Sequence, residues 1–211
     1  MMRMNKRSGL ALLAALLWVG AAQAGGAALG QNLLKNGGAE SGPGSPDGGP
    51  VDSVPKWQTS GGFTVVQYGA PAFPDESSPG SPRRRLNFFA GGPDNAQSSA
   101  VKTVSLKALA EAIDGGAVRA TLVGYLGGFS SQEDHADLQV EFLDAAEQPL
   151  SSLALPGVSA ADRGFVTGLL KRSAKAAVPV GARSARVVLT MTRTAGSYND
   201  GYADALSLVL E

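Results

Sequence analysis

The sequence contains no cysteine and a single histidine, and both scarcities exclude classes of chemistry. Without cysteine the chain forms no disulfide, offers no thiol nucleophile and lacks the residue that carries a lipoprotein anchor. His135 stands in the acidic stretch SSQEDHAD. It is a candidate general base or metal ligand, but we favour a solvated loop residue beside acids because few partners for catalysis surround it.

The sequence also lacks the common enzyme motifs. It contains no G-x-S-x-G elbow, no H-E-x-x-H zinc motif, no phosphate-binding loop and no dinucleotide fingerprint. A carboxylate pair for glycoside cleavage would meet in space without leaving a sequence pattern, and no such pair is singled out. Nothing in the motif content therefore predicts a catalytic centre.

The sequence also lacks an excess of either charge, because 18 basic residues balance 18 acidic ones. Three of the basic residues fall within the first eight, so the remainder of the chain is slightly acidic. Nucleic-acid binding through phosphate neutralisation needs the opposite balance. We therefore expect no nucleic-acid partner.

The first residues have the pattern of a secretory signal peptide. A basic stretch, MMRMNKRS, precedes an apolar run, and Ala22-Gln23-Ala24 fits the small-x-small rule for cleavage. The apolar run is short for a membrane span. We predict a signal peptide over residues 1–24, a mature protein beginning at Gly25, and a secreted or periplasmic location without membrane insertion.

Glycine, proline and β-favouring residues dominate the remainder of the chain. The 28 Gly and 12 Pro indicate many turns. Short segments with strand-like alternation recur, as in DLQVEFLD, where Leu138, Val140 and Phe142 alternate with polar residues. Strands are predicted at 32–36, 62–68, 85–89, 99–106, 117–126, 137–144, 149–155, 165–172, 184–193 and 205–210.

Only residues 105–114 have helical periodicity, with Ser105 as the expected cap and Gly115-Gly116 as the stop. About ten strands and one short helix predict an all-β fold, a two-sheet antiparallel sandwich of the jelly-roll type. The Pro/Gly/Ser-rich stretches 41–56 and 70–82 are interpreted as loops, since neither side has enough strands for a separate domain. We predict a single domain over residues 25–211.

The stretch SYNDGYADALSLVL near the end poses a question of polarity. Leu206, Leu208 and Leu210 share one face of a strand, and counting back by two places Asp204 on that same inward face. A carboxylate directed at a core is costly unless something satisfies it. The alternation leaves open what satisfies Asp204; one answer is that the side chain accepts N–H groups of its own turn.

Five stretches together resemble the galactose-binding-like jelly-roll domains of secreted carbohydrate-binding modules. The stretches are NLLKNGGAESG, LNFFAGGP, GYLGGFSSQEDHADLQVEFLDA, ADRGFVTGLLKRS and TRTAGSYNDGYADALSLVL. The first and last are the characteristic ends, because the two ends of the chain lie side by side in that fold. The resemblance extends from about Asn32 to Leu210.

The resemblance implies a structural calcium ion between the two ends of the chain. Glu40 and Asp204 match the positions of its carboxylates, and Gly38 is a weaker match for a carbonyl ligand. Calcium takes roughly six to eight oxygen ligands in a flexible shell, which suits acids far apart in sequence. We expect Ca²⁺ as a structural cofactor.

The same resemblance implies a carbohydrate site formed by two loops at one end of the sandwich. Aromatic rings in such sites stack on sugars, while amides and acids bind the hydroxyl groups. Tyr198 is the strongest candidate, because its ring has no obvious core to enter. The candidate ligand-binding residues are Tyr198, Asn199, Asp200, Tyr202, Phe129, Gln132 and Asp134.

The sequence thus favours a secreted, non-catalytic, monomeric module that binds carbohydrate or another component of an extracellular surface. Two alternatives stay open. One is a small extracellular jelly-roll enzyme, a polysaccharide lyase or hydrolase, which would need two close carboxylates or Arg, Tyr and His in one cleft. The other is a structural or adhesive surface protein, which would show an exposed apolar patch without a cleft.

Overall fold

The computed structural model describes residues 27–211, so the predicted signal peptide lies outside the described residues. In this range the chain forms ten strands and one short helix, α1. No helix in the described range is long and apolar enough to cross a membrane. The elements are β1 (Gln58–Ser60), β2 (Thr64–Gln67), β3 (Asn87–Pro93), β4 (Gln97–Ser105), α1 (Ala110–Asp114), β5 (Arg119–Gly128), β6 (His135–Leu143), β7 (Pro149–Leu155), β8 (Gly168–Ala177), β9 (Ser184–Thr192) and β10 (Tyr198–Leu210).

The strands form two antiparallel five-stranded sheets, which confirms the predicted β-sandwich. The first sheet has the order β1-β4-β9-β6-β7, and the second has the order β2-β3-β10-β5-β8. Alternating apolar residues of both sheets meet between them. Leu138, Val140 and Phe142 of β6 are fully buried there, as their alternation predicts.

The two ends of the described chain lie side by side. Asn32 forms an isolated antiparallel bridge with Val209, and the Leu33 N–H donates to the Leu208 carbonyl at 2.9 Å. The Leu206 N–H donates to the Gly37 carbonyl at 2.8 Å. This adjacency is the one that the resemblance implies.

Several predicted elements are corrected. Residues 32–36 form no strand, and β1 was not predicted. Ser105 ends β4 instead of capping a helix, and a 3₁₀ turn, Lys107–Leu109, precedes α1. The largest correction concerns residues 198–204, interpreted as a loop: they form the first half of β10, paired with β3 and β5.

Candidate functional site

A β-bulge in β10 reverses the face on which Asp204 lies. Tyr202 packs in a cluster on the outer face of the second sheet, whereas Ala203 packs in the core between the sheets. Ala205 has a φ of 50°, and the strand register shifts between Asp204 and Ser207. Leu206 is again in the core. Asp204 therefore lies on the side of Tyr202, and its predicted inward position is wrong because the bulge adds a residue to the alternation.

The carboxylate of Asp204 is buried, and two hydrogen bonds satisfy it. The Tyr68 hydroxyl donates to Oδ2 at 2.9 Å, and the Ala205 N–H donates to Oδ1 at 2.5 Å. Burial raises the pKa of Asp204 to about 6, and the negative charge of Glu40 adds to the rise. The two hydrogen bonds and Arg84 act in the opposite direction. These contacts therefore offset only part of the cost of burying the charged Asp204 carboxylate.

The structure brings the three predicted calcium residues together. The Glu40 carboxylate accepts the Asn87 N–H at 3.0 Å and the Leu86 N–H at 3.3 Å. A Cβ atom placed on Gly38 would lie 3.4 Å from Oδ1 of Asp204 and 3.9 Å from Cγ of Glu40. Gly38 therefore lies beside the Asp204 carboxylate and the Glu40 side chain.

The donor chemistry of this pair fits a hard cation. Two carboxylates from distant parts of the chain repel each other, and a cation would relieve both that repulsion and the burial of Asp204. Among the described residues no group of three or more His, Asp and Glu side chains is placed to hold a metal. A calcium ion here would thus take most of its ligands from backbone carbonyls and water.

The outer face of the second sheet carries a second apolar cluster, which we call the aromatic face. Its buried centre is Phe88 and Tyr202, whose ring centroids are 5.3 Å apart. A chain loop covers part of it, and Phe73 from this loop lies 6.2 Å from the ring of Phe88. The half-buried aromatic residues around this centre are Tyr68, Phe73, Tyr125, Phe129 and Tyr198.

Tyr198 does have a core to enter, contrary to the prediction. Its ring contacts Phe73 edge-on with centroids 5.2 Å apart, and its hydroxyl donates to the Gly48 carbonyl at 2.9 Å. Burial raises the pKa of Tyr198. One side of the ring thus holds the loop against the sheet, and the remainder stays accessible because the residue is only half-buried.

The two loops predicted to form a cleft do meet at the same end, and Asp134 joins them. Its Oδ1 atom accepts the N–H groups of Thr194 at 2.6 Å and Ala195 at 3.0 Å. Its Oδ2 atom accepts the Asp200 N–H at 2.9 Å. Asp134 is completely buried. This position corrects its expected role: the carboxylate supports the loops and presents no surface to a ligand.

Three further candidates are also directed into the protein. The Asn199 amide donates to the Asn95 side chain at 3.0 Å and to the Met191 carbonyl at 3.1 Å. The Tyr202 hydroxyl donates to Asp200. Burial raises the pKa of Asp200 to about 6. Asn199 and Tyr202 are fully buried and Asp200 nearly so, which corrects the expectation that they line an open cleft.

Phe129 and Gln132 keep exposed surface beside this end of the sandwich. The guanidinium group of Arg163 donates to the carbonyls of Ser130 at 3.0 Å and Gln132 at 2.9 Å, which fixes their loop. The Gln132 Oε1 atom is buried and accepts no hydrogen bond from the described residues. Together with Tyr198, these residues are the predicted ligand contacts that remain accessible.

Sequence reasoning missed Tyr125 and Tyr68. Both lie at the margin of the aromatic face, and Tyr125 is cross-strand from Asp204 and Lys171. The alternation of β5 contained the signal, because Leu122 and Leu126 face the core and Tyr125 must then face outward. Tyr68 carried the same signal, because it lies two residues after Val66, which is on the aromatic face, whereas Val65 is in the core.

A cavity of about 680 Å³ lies next to Tyr68. The Arg84 guanidinium carbon is 5.4 Å from the centroid of the Tyr68 ring. Arg84 also donates to the carbonyls of Asp75 at 2.6 Å and Ser78 at 2.8 Å, so it holds the covering loop. The cavity offers a ring, a cation and carboxylates along one margin of the aromatic face.

His135 lies at the start of β6 and pairs with Asp137, with Nε2 and Oδ2 3.4 Å apart. This carboxylate raises the pKa of His135 to about 9. The other ring nitrogen contacts the Glu133 carbonyl at 2.8 Å. The environment is that of a partly solvated residue beside acids, the interpretation favoured from the sequence.

Solved structures with the same fold include a family 16 carbohydrate-binding module, with a TM-score of 0.50 and 18% identity over 84% of this chain and 99% of that one. The enzymatically active domain of tailspike protein 4 from bacteriophage CBA120 has a TM-score of 0.50 and 14% identity over 85% of this chain. The match covers only 21% of the tailspike chain. A family 61 carbohydrate-binding module, solved with β-1,4-galactotriose, has a TM-score of 0.47 and 16% identity over 86% of this chain and 99% of that one.

No family model and no curated protein sequence matches this chain. The likeness therefore concerns the fold. The chain has the two-sheet β-sandwich fold of carbohydrate-binding modules, consistent with the galactose-binding-like jelly roll that its sequence resembles.

Proposed function

We propose that this protein is a secreted, non-catalytic module that binds carbohydrate on the exposed margin of the aromatic face. The observation that carries the proposal is the arrangement of five half-buried aromatic residues around a buried aromatic centre on one sheet. Partly exposed rings fixed by packing present an apolar surface at low entropic cost. Secretion is supported by the leader-like pattern of residues 1–24.

Tyr125 is the proposed centre of the contact. It stands on a strand flanked by β8 and β10, so its backbone is held by two neighbours. Lys171 lies directly cross-strand and is exposed, and a lysine ammonium group can donate to sugar hydroxyls. Tyr198, Phe129 and Gln132 extend the surface toward the end of the sandwich.

The fold supports the same proposal. The family 16 carbohydrate-binding module aligns over nearly all of its own length, so this chain contains the equivalent of the whole module. A module that binds a polysaccharide needs a stiff sheet, and the sandwich supplies one.

We further propose a structural calcium ion at Glu40 and Asp204. The ion would join the N-terminal segment to β10 next to Tyr68, which donates to Asp204. Its expected effect is to stiffen this margin of the aromatic face. It takes no part in a reaction.

The test is binding of the purified protein to an array of glycans, followed by calorimetry with the best ligand. Tyr125→Ala is expected to weaken that binding at least about tenfold, as loss of a central ring does in other contacts. Leu150→Ala is the matched control, because Leu150 is a partly exposed apolar residue on the other sheet. Its binding should equal that of the wild type.

Equal binding by Tyr125→Ala and the wild type would contradict the proposed site. The same samples are assayed for new reducing ends over a day. A steady release of sugar by the wild type would replace the binding module with a jelly-roll enzyme.

A further inference from the structure

A second cavity, of about 780 Å³, opens at the edge of the first sheet, away from the aromatic face. β1 pairs with β4 only from Gln58↔Val101 to Ser60↔Ser99, so residues 102–105 of β4 have no partner strand on that side among the described residues. The N-terminal segment forms the opposite wall. The walls include Lys35, Lys56, Trp57, Gln58, Lys102 and Thr103.

Three lysines converge on this cavity. Lys102 lies two residues after the core residue Ala100 in β4. The two side chains are therefore on the same face of the strand, and Lys102 points toward the sandwich interior. Its Nζ atom lies 4.8 Å from the centroid of the Trp57 ring and donates to the Lys35 carbonyl. Lys35 and Lys56 are exposed at the entrance.

No carboxylate in the described part of the chain balances these charges. None of the residues that line the cavity is Asp or Glu. The ion pairs found in residues 27–211 join other residues. Burial, together with the positive charges of Lys56 and Lys35, lowers the pKa of Lys102 to about 8. The Trp57 ring and the Lys35 carbonyl contact the Lys102 ammonium group, but no anionic side chain of the described residues neutralises the three charges.

The backbone at Lys56 adds a second cost. Lys56 has a φ of 71°, in the left-handed region that favours glycine or asparagine. An inward-pointing charge on an edge strand also discourages pairing with other chains, which could account for Lys102. That reason does not extend to Lys35 and Lys56, which lie outside the strand.

We infer that this cavity binds the anionic substituent of an acidic polysaccharide. Three ammonium groups suit an oxyanion, and the exposed side chains of Gln58 and Thr103 offer partners for sugar hydroxyls. The volume lies in the range of ligand sites rather than of a single small ion. The carboxylate of a uronic acid and a sulfate ester share this chemistry. The inference rests on the proposed function for its sugar component and concerns a separate surface.

The experiment compares electrophoretic mobility in gels that contain polygalacturonate, dextran sulfate or neutral dextran. The wild type is expected to be retarded by one of the two acidic polymers, less so at high salt, and not by dextran. Lys102→Gln and Lys56→Gly are each expected to weaken retention about tenfold. Lys175→Gln is the control, because Lys175 is an exposed lysine on the other sheet.

Lys56→Gly removes a charge with little risk of misfolding, since glycine adopts the positive φ of this position freely. Its melting temperature should equal or exceed that of the wild type. Retention of both variants equal to that of the wild type would overturn the inference. The inference would also be overturned if inorganic sulfate displaced the protein from the acidic polymer as effectively, per charge, as the free polymer does. The cavity would then be a simple anion site.

The two proposals fail separately. If Tyr125→Ala loses the neutral glycan while the lysine variants keep the acidic polymer, the proposed function stands and the cavity inference falls. If the lysine variants lose the acidic polymer while Tyr125→Ala still binds the neutral glycan, the inference stands and the aromatic site falls.

Discussion

The outer faces of the two sheets differ sharply in what they expose. On the first sheet Glu141 and Arg186 lie cross-strand and pair with 2.8 Å between Oε2 and Nε, and Gln139 beside them is exposed. On the second sheet Phe88 and Tyr202 occupy the equivalent outer positions and are completely buried. One face is an ordinary solvated surface, and the other is a second core.

The difference shows where the molecule has placed its apolar residues. The core between the sheets already buries the inner face of each sheet. A second apolar cluster on an outer face is therefore shielded from water only where another part of the chain, or a partner, covers it. The loop that bears Phe73 supplies part of that cover. The uncovered margin, where Tyr125 and Phe129 are half-buried, is the surface left for a partner.

The largest effect is expected from removing the centre of the aromatic face. Phe88→Ala should lower the free energy of unfolding by about 3–5 kcal/mol, the usual cost of truncating a buried phenylalanine. Glu141→Ala, on the polar face, should cost less than about 1 kcal/mol because its ion pair is partly exposed. Urea denaturation measures both. Similar losses for the two variants would contradict the contrast between the faces.

Calcium should stabilise the second sheet through Asp204. At a hundredfold excess of calcium over its dissociation constant, the expected gain is about 2.7 kcal/mol. Chelator should therefore lower the melting temperature of the wild type at neutral pH. Asp204→Asn keeps an oxygen for the Tyr68 hydroxyl but removes the charge, so its melting temperature should not respond. Identical melting of the wild type with and without chelator would exclude the ion.

The two buried acids of β10, in the second sheet, predict a dependence of the unfolding free energy on pH. Asp200 and Asp204 both have pKa values raised to about 6, from an ordinary value of 3.8. Between these values the folded protein binds more protons than the unfolded chain, so the stabilisation is complete below about 3.8 and is lost as pH rises through about 6. In the presence of chelator, the wild type should lose stability relative to Asp204→Asn as the pH rises from 4 to 7. The measurement is the unfolding free energy of both proteins at each pH. A difference that is independent of pH would contradict this assignment.

The smallest effect concerns the Tyr198 hydroxyl. Tyr198→Phe keeps the contact with Phe73 and removes the hydrogen bond to the Gly48 carbonyl, so about 0.5–1.5 kcal/mol of stability should be lost. Glycan binding should weaken only slightly if the ring makes the contact. Tyr198→Ala should weaken binding more, and calorimetry with both variants separates the ring from its hydroxyl. Equal loss of binding in both would assign recognition to the hydroxyl.

The sequence predicted the features that depend on local alternation. The burial of Leu138, Val140 and Phe142 follows from period two alone, and so does the sandwich that they imply. The meeting of Glu40 and Asp204 came instead from the resemblance, since no local pattern joins residues so far apart.

The burial of the predicted ligand residues could not be read from the sequence. Asn199 and Tyr202 look like loop residues among Gly, Ser and Asp, but they form a strand because β3 and β5 pair with them. Asp134 is polar in a polar loop, yet it is buried because N–H groups about sixty residues further along the chain converge on it. Such contacts depend on tertiary structure and leave no periodicity.

The bulge at Ala205 accommodates one residue more than the alternation of β10 requires. Its 13 residues supply Tyr202 to one cluster and Leu206, Leu208 and Leu210 to the other. Deleting Ala205 would leave Tyr202 outward and the three leucines inward in plain alternation, but it would remove the bulge and the N–H group that donates to Asp204. An exchange of Ala205 for glycine, which adopts the same φ freely, would be tolerated. The extra residue of β10 therefore serves the position of Asp204, and the leucines would keep their places without it.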